Sequence, residues 1–255
     1  LLLMPNKFVI FIVLLFISLN IKTQSIYDFG EGNGKDLNVL YRNDISAKLT
    51  LDSRGVGFSV RRGKHITAKS RYFYEGEIQS MRHPKQIYSV GQAQDRKRFV
   101  YGKINSVYMF RGAFGYQNII AGKGDNKAVE VRYLFTVGPT LAFAKPYYYQ
   151  VYNPKRSEIN QTEEVQFNAQ NFTIDSIAGR GAFVSGLEKT KIYPAITTKF
   201  NLSFEYANYT NLIRAIETGV TLDVFPKALP IMARNPSENF ILTIHLGFVI
   251  GNKWF

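Results

Sequence analysis

The segment FILTIHLGFVIGNKWF, at positions 240–255, alternates between two kinds of residue along its whole length. One set of alternate positions is apolar except for Asn252, and the other set is mostly small or polar. A period of two residues is that of a β-strand, whose side chains point alternately to opposite faces. Most strands are only about five or six residues long. A strand of this length with one apolar side severely restricts the folds open to the chain.

The same alternation recurs in seven further segments, so the sequence predicts eight strands. Their apolar series begin at Ile45, Val56, Tyr72, Ile104, Val129, Ile192 and Leu212. No segment of comparable length has the 3.6-residue period of a helix. The expected fold class is therefore all-β.

The second face of these strands carries charges at mid-strand, for example at Arg132, Lys199 and Glu217. A soluble β-sandwich, the main alternative, has shorter strands and packs its inward faces into an apolar core. In a transmembrane barrel the charged positions point into the lumen and the apolar positions face lipid. The sequence therefore favours an eight-stranded antiparallel transmembrane β-barrel, connected as an up-and-down meander.

The connections between the predicted strands fall into two length classes. DSRG, RGKH, AGKGDN and ANYTN are short, whereas long connections lie near 81–98, 152–190 and 226–239. Outer-membrane barrels have short periplasmic turns and longer external loops. Apart from the first connection, DSRG, the odd-numbered connections are long and the even-numbered ones short, so with a barrel at 44–255 this pattern predicts three long external loops and periplasmic positions for both termini.

The first residues have the composition of an export signal. Met4, the expected true start, precedes a lysine and an apolar run over Phe8–Leu19. This run is shorter than the ~20 residues of a membrane-spanning helix. We therefore interpret 1–24 as a signal peptide, with an N-terminal membrane anchor as the alternative, and 25–43 as a periplasmic lead-in.

The chain contains no cysteine and has a formal net charge of +13. Disulfides, thiolate metal sites and cysteine nucleophiles are thereby excluded. An exported chain rarely meets nucleic acid, so anionic lipid head groups and lipopolysaccharide phosphates are the expected partners of this charge. Arg96, Lys97 and Arg98 are candidate anion contacts through charge-assisted hydrogen bonds. A merely solvated run of charge is the alternative.

The export signal, the eight alternating strands and the final Phe255 resemble the small outer-membrane β-barrel proteins of Gram-negative envelopes, of the eight-stranded OmpA/OmpX type. The resemblance is architectural, so it implies a fold and a location but no particular activity. It also implies that the barrel-assembly machinery recognises the last strand, through Phe248, Ile250, Trp254 and Phe255.

The last strand departs from the family pattern in one respect. Strict alternation places Trp254, and not Phe255, on the lipid-facing side. A β-bulge around Gly251–Asn252 would shift the alternation by one residue and restore the pattern. Without a bulge, Trp254 would serve as an anchor at the membrane interface.

The inward-facing charges are expected to occupy a narrow space, because eight strands enclose an interior just wide enough for side chains. Unpaired charges are strongly unfavourable there. We therefore expect ion pairs around Arg132 and Arg111 that plug the barrel. The predicted members of this polar network are Lys103, Arg111, Glu130, Arg132, Lys199, Glu205, Glu217, Asp223 and His245.

The longest connection, 152–190, mixes apolar with small residues, unlike a disordered polar tract. We expect it either to pack over the barrel mouth or to dock a protein partner. Tyr147, Tyr148, Tyr149 and Tyr152 precede most of it and suit an aromatic girdle at the membrane surface. A glycan-binding platform is the alternative for these tyrosines.

The sequence gives little support for catalysis. His245 would meet Glu217 or Asp223 of the neighbouring strand, but a histidine within the lumen network is the simpler interpretation, and no HxS or GxSxG element is present. We expect a non-enzymatic structural or accessory envelope protein without a cofactor, belonging to a membrane complex in one version of this hypothesis. The alternatives are a lipid-modifying enzyme resembling a lipid A deacylase, using His245 or His83, and a small-solute channel.

Overall fold

The structure is a computed structural model, and it describes residues 41–90, 98–122, 128–152, 162–167, 176–206, 211–233, 235 and 237–255. The predicted signal peptide and two of the candidate anion contacts, Arg96 and Lys97, lie outside the described residues.

Thirteen strands and one short 3₁₀ helix make up the described secondary structure. In chain order they are β1 (Asn43–Asp52), β2 (Gly55–His65), β3 (Ser70–Met81), β4 (Tyr88–Val90), β5 (Arg98–Val100), β6 (Asn105–Ala121), β7 (Glu130–Pro146), β8 (Tyr148–Tyr152), β9 (Thr162–Gln166), β10 (Ile177–Arg180), the 3₁₀ helix (Leu187–Lys189), β11 (Lys191–Glu205), β12 (Leu212–Leu229) and β13 (Glu238–Trp254).

Eight of these strands close into a barrel. Each barrel strand pairs with the next in the order β1, β2, β3, β6, β7, β11, β12 and β13. The last strand, β13, pairs with β1 and closes the barrel. All of these pairings are antiparallel. The prediction of an eight-stranded antiparallel barrel with up-and-down connections is confirmed.

Two strands extend further than the sequence pattern indicated. β2 continues through RGKH to His65, and the turn that follows lies at 66–69. The Thr67 hydroxyl organises this turn by accepting a hydrogen bond from the backbone N–H of Ser70 at 3.0 Å. Likewise, β12 continues to Leu229, into the segment interpreted as a loop. In RRGKH both faces of the strand are polar or small, so the alternation cannot be seen there.

The barrel is apolar outside and polar inside. Outward side chains such as Phe58 and Leu242 are more than half exposed, whereas inward ones such as Lys48 and Glu217 are buried. A soluble sandwich has the opposite distribution, because it buries its apolar face. The alternative of a soluble all-β protein is therefore wrong, and the distribution is that of a transmembrane barrel.

In the part of the chain that the structure describes, no helix has the length and hydrophobicity needed to cross a membrane.

The last strand has no bulge near its end at Gly251–Asn252. Its register with β1 runs without interruption from Asn43 opposite Trp254 to Asp52 opposite His245, and its register with β12 is also regular around Asn252. The proposed bulge at Gly251–Asn252 is therefore wrong. Trp254 stays on the outward side of the strand. Phe255 follows the strand, with its ring 5.3 Å from that of Tyr41.

The segments beyond the barrel contain their own secondary structure. β4 pairs with β5, and β8 lies between β10 and β9 in a separate three-stranded sheet. An apolar cluster joins this sheet to β5; its buried members are Phe99, Tyr147, Tyr149, Val151 and Ile177. Part of the 152–190 connection thus packs on the protein itself.

The prediction of an aromatic girdle at Tyr147 and Tyr149 is wrong. Both side chains are buried in the cluster with Phe99. The Tyr149 hydroxyl accepts a hydrogen bond from the backbone N–H of Lys103 at 2.8 Å and donates one to the carbonyl of Val100 at 2.6 Å. With its ring buried and its hydroxyl hydrogen-bonded in this way, Tyr149 serves as a core residue of the segments beyond the barrel.

Closure of the barrel depends on a close approach between β13 and β1 at Gly251. A Cβ atom at this position would lie 2.3 Å from the carbonyl oxygen of Ile45 and 2.7 Å from the Cβ of Ser46. Gly76 is a suitable control, because a Cβ atom there meets nothing within 4 Å.

We predict that Gly251→Ala lowers the free energy of unfolding by about 1–3 kcal/mol, because the two closing strands must separate locally. Gly76→Ala should leave it nearly unchanged. Urea titration of lipid-refolded protein, followed by the fluorescence of its single Trp, measures both. Equal stability of the two variants would contradict the close-approach argument.

Candidate functional site

The middle of the lumen holds a layer of charged side chains, called here the charged layer. It contains four cations and four carboxylates, so its formal charges cancel. Its members are Lys48, Arg61, Arg111, Lys199, Glu75, Glu77, Glu217 and Asp223, all of them buried. They come from six strands, each contributing the inward positions of its alternation.

Arg61 connects opposite walls of the lumen. Its guanidinium donates to Glu75 on β3, with Nη2 2.7 Å from Oε2, and to Glu217 on β12, with Nη1 2.7 Å from Oε1. β2 and β12 are not neighbours in the barrel, so this second pair crosses the interior. The guanidinium also lies 4.6 Å from the centre of the Phe73 ring. Paired guanidinium and carboxylate groups of this kind are among the strongest polar contacts in proteins.

Arg111 makes the equivalent connection from β6. Its Nη2 lies 2.7 Å from Asp223 Oδ2, and its Nη1 lies 2.5 Å from Glu77 Oε1. Lys199 donates to Glu77 as well, and to Glu75 at 3.0 Å. The shared carboxylates thereby join the two arginines into one network.

Lys48 completes the charged layer from β1. Its Nζ lies 3.6 Å from both Glu75 and Glu217. Each cation of the layer thus faces two carboxylates. Since an unpaired buried charge is strongly unfavourable, this pairing meets the condition that the narrow interior imposes, although Lys48 is held by charge alone and makes no hydrogen bond.

Arg132 lies elsewhere, towards the barrel end with the short turns. It pairs with Glu130 and with Glu205, whose Oε2 lies 2.7 Å from its Nη1, and Glu205 also binds Lys253 at 2.9 Å. Among the ion pairs of the described residues, none links this group to the charged layer. The centre of the network is therefore Arg61 with Arg111, and not Arg132 with Arg111.

Two other predicted members occupy different surroundings. Lys103 lies outside the lumen network, between β5 and β6, with its Nζ 5.4 Å from the centre of the Tyr147 ring. His245 is buried in the lumen, with Nδ1 3.2 Å from the Thr221 hydroxyl and 3.9 Å from Asp52. The carboxylates that were its expected dyad partners bind arginines instead.

Sequence reasoning missed Arg61, the most connected cation of the layer. It follows Ser59 by two positions and so shares its inward parity. Placing a turn at RGKH ended the predicted strand at Val60 and removed Arg61 from consideration. Extending the alternation by two further residues, from Ser59, would have placed Arg61 on the inward face.

Above the charged layer, towards the long connections, the lumen becomes apolar. On β6 the inward positions beyond Arg111 are Met109 and Val107. The apolar cap, as this group is called here, consists of Met81, Val107, Met109, Ala142, Ala144, Tyr193, Ala195, Phe225, Leu229, Ile231 and Ile241. Ile231 comes from the β12–β13 connection and accepts hydrogen bonds from the backbone of Ile104 and Asn105. The barrel is thus filled by two chemically distinct layers.

His83, the other catalytic candidate, lies in the connection after β3. Its Nε2 lies 3.7 Å from Glu238, which also binds Arg54, and its Nδ1 accepts from the backbone N–H of Lys85 at 3.2 Å. Burial lowers the pKa of His83 below its ordinary value, Glu238 opposes this, and Arg54 and Lys85 add to it. Among the described residues, no hydroxyl group hydrogen-bonds to this imidazole. The same part of the chain has no group of three or more metal-ligating side chains.

Comparison with known proteins gives structural likeness only. No family model matches the chain, and no curated protein matches its sequence. Neisserial surface protein A superimposes with a TM-score of 0.45 at 8% identity, covering 84% of this chain and 97% of that one. Ail, the attachment invasion locus protein of Yersinia pestis, has the same identity and coverage. Its TM-score is 0.37, or 0.36 in complex with the heparin analogue sucrose octasulfate.

We predict that Arg61→Met lowers the free energy of unfolding by about 3–5 kcal/mol, because it leaves buried carboxylates without their partner. Arg62→Met is the matched control: Arg62 is adjacent in sequence but exposed on the outer face, so its loss should change stability by at most about 0.5 kcal/mol. Urea titration in lipid vesicles measures both.

A double variant separates pairing from packing. Glu217→Gln added to Arg61→Met removes one unpaired carboxylate, so part of the lost stability should return. If the double variant loses more free energy of unfolding than the two single variants lose in sum, Glu217 is held by other contacts. The ion-pair explanation is then wrong.

Proposed function

We propose that this protein is an integral outer-membrane β-barrel with a filled lumen, acting as a non-enzymatic structural or accessory component of the envelope. One observation carries the proposal: the outer face of the closed barrel is apolar, while its inner face holds balanced, paired charge. Hydrocarbon can solvate such a surface, and a closed barrel leaves no unpaired strand edge within it.

The dimensions of the barrel agree with this location. A tilted membrane-spanning strand needs about 9–11 residues. β1 and β2 have 10 and 11 residues, while β6, β7 and β13 have 17 each and so extend beyond the apolar belt. Closed barrels of this kind belong to outer membranes. The predicted export signal would direct the chain towards that membrane.

The difference between the two ends of the barrel supports an orientation in the membrane. The connections over 66–69, 122–129 and 206–211 are short, and the strand ends that they join lie at the same end of the barrel as Asn43 and Trp254. The connections that contain β4, β5, β8, β9 and β10 leave from the opposite end. By the usual asymmetry of outer-membrane barrels, the first end is periplasmic and the second external.

The two alternatives receive less support from the geometry. A channel needs a continuous aqueous path, but the charged layer and the apolar cap both cross the lumen. A lipid-modifying enzyme needs a histidine that reaches lipid beside a nucleophile. His245 is buried within the lumen, and His83 binds a carboxylate and a backbone N–H.

The partners expected from the sequence remain predictions. They are the bilayer with its lipopolysaccharide, the barrel-assembly machinery that would recognise the final strand, and a protein docked at the external segments.

Location and orientation are tested together by single cysteines, because the chain has none of its own. Val184→Cys, at a position 71% exposed in the external segments, should react with an impermeant maleimide on intact cells. Thr67→Cys, in a short periplasmic turn, should react only after the outer membrane is opened. The protein should fractionate with the outer membrane and migrate faster unboiled than boiled on a denaturing gel. Recovery in the soluble periplasm would overturn the proposal, and a reversed labelling pattern would overturn the orientation.

We predict no steady ion current through the protein in planar bilayers, because the lumen is filled at two levels. Gly251→Ala, which loosens the seam without emptying the lumen, serves as a control for leakage of misfolded protein. A stable current from the wild-type protein, abolished by bulky replacements in the lumen, would favour the channel instead.

A further inference from the structure

A basic cleft lies at the external end of the barrel, between the last residues of β3 and β7, the first of β6, and strands β5, β8 and β10. Its volume is about 230 Å³. Among the described residues, no carboxylate lines it, whereas five cationic side chains do: Arg82, Arg98, Lys103, Lys145 and Arg180. These residues are far apart in sequence, so only the folded external segments bring them together.

Two of these cations are buried. Lys103 is 9% exposed and Lys145 7% exposed, yet neither forms an ion pair with a described residue. Their ammonium groups face aromatic rings instead, Lys103 at 5.4 Å from Tyr147 and Lys145 at 4.8 Å from Phe183. In the lumen, by contrast, every buried lysine and arginine has a carboxylate partner.

Among the described residues, Glu164 of β9 is a carboxylate that acts on this group, through Lys145. Its carboxylate is already engaged, accepting from the backbone N–H of Ala182 at 2.8 Å and from the Ser185 hydroxyl. It therefore organises the loop after β10, and its single negative charge is outnumbered by the five cations of the cleft. An excess of positive charge remains.

The electrostatic state of Lys103 agrees with this excess. Burial, together with repulsion from Arg82, Arg180 and Lys145, lowers its pKa to about 8. Folding thus brings these cations together at a cost that no ion pair among the described residues offsets. A bound anion would offset it.

We propose that the cleft is a binding site for a phosphate or sulfate group carried by a lipid head group or a glycan at the cell surface. A cleft of about 230 Å³ has room for one tetrahedral oxyanion with part of its hydration. Arginine and lysine donors are the usual ligands of such groups. Of the three anion contacts expected from sequence, Arg98 lines the cleft.

This inference goes beyond the proposed function and fails separately from it. A barrel that fractionates with the outer membrane and conducts no current need not bind an anion. Binding is measured on purified protein in neutral detergent, where neither location nor conductance enters.

The first test is calorimetric titration of the full chain with inorganic sulfate and inorganic pyrophosphate. Arg180→Gln and Lys145→Gln should each weaken binding by about tenfold or more, the usual loss for a charge-assisted hydrogen bond. Lys227→Gln is the matched control, because Lys227 is exposed near the end of β12 and does not line the cleft. Equal affinity of all four proteins, or no binding of either probe to the wild type, would overturn the proposal.

Lys103→Met distinguishes a binding residue from a structural one. Without an anion, this variant should unfold at a temperature at least as high as the wild type, because it removes an unpaired buried charge. It should nevertheless lose sulfate affinity. A variant that is destabilised without anion would show that Lys103 serves packing, and would contradict the proposed role.

The pH dependence provides an independent readout with sulfate, whose own charge is constant in this range. Affinity should fall as pH rises through about 8, because Lys103 then loses its proton. Burial raises the pKa of Tyr147, so that it stays neutral in this range. Constant affinity across this range would exclude Lys103 from the site.

The source of the anion is separated by two further ligands. Nanodiscs of phosphatidylcholine with added lipid A are compared with phosphatidylcholine alone, and a sulfated disaccharide is titrated in solution. Dependence of lipid A binding on Arg180 identifies a head group, whereas dependence of disaccharide binding on Arg180 identifies a surface glycan. If neither depends on Arg180, the site is not an oxyanion site for envelope ligands.

Discussion

A charge inside a barrel too narrow for bulk water must find its counter-charge within the same barrel. This constraint explains why the eight residues of the charged layer occur in equal numbers of each sign. It also explains why Arg61 and Arg111 each reach two strands. Coulombic attraction in such surroundings is large, but so is the cost of desolvation. The network is therefore better understood as a condition for filling the lumen with polar residues than as a surplus of stability.

The outer face follows from the same alternation. Placing charge on one set of positions leaves the other set for apolar residues. The apolar set then faces lipid on the outside, and the charged set contacts other side chains of the same barrel on the inside. The segments beyond the barrel pack in a different way. Phe99, Tyr149 and Ile177 form a small core of the soluble type, with buried aromatic rings and hydrogen-bonded hydroxyls. The protein thus combines an inverted fold in the membrane with an ordinary one above it.

Sequence alone predicted the eight strands, because a period of two repeated over long segments has few competing explanations. It failed where the period is hidden or where two environments favour the same residue. In RRGKH both faces are polar, so Arg61 was lost with the end of β2. Tyr147 and Tyr149 belong to the apolar core of the loops, although tyrosines at these positions would suit an aromatic girdle equally well. Lys103 was assigned to the lumen by parity, but β6 begins after it, at Asn105. The cleft around Lys103 was not predictable, since it requires β3, β7 and β10 to meet.

The pair between Arg61 and Glu217 joins residues 156 positions apart. One partner belongs to the second strand of the barrel and the other to the strand before the last, so the contact cannot exist until nearly the whole sheet has formed. Contacts of such long range are slow to form, because the entropy of the intervening chain must be lost first. Until then the charged side chains of a half-formed sheet require water, which keeps the open edge hydrated. The network thereby makes insertion an all-or-none event, in which dehydration of the interior and closure of the seam occur together.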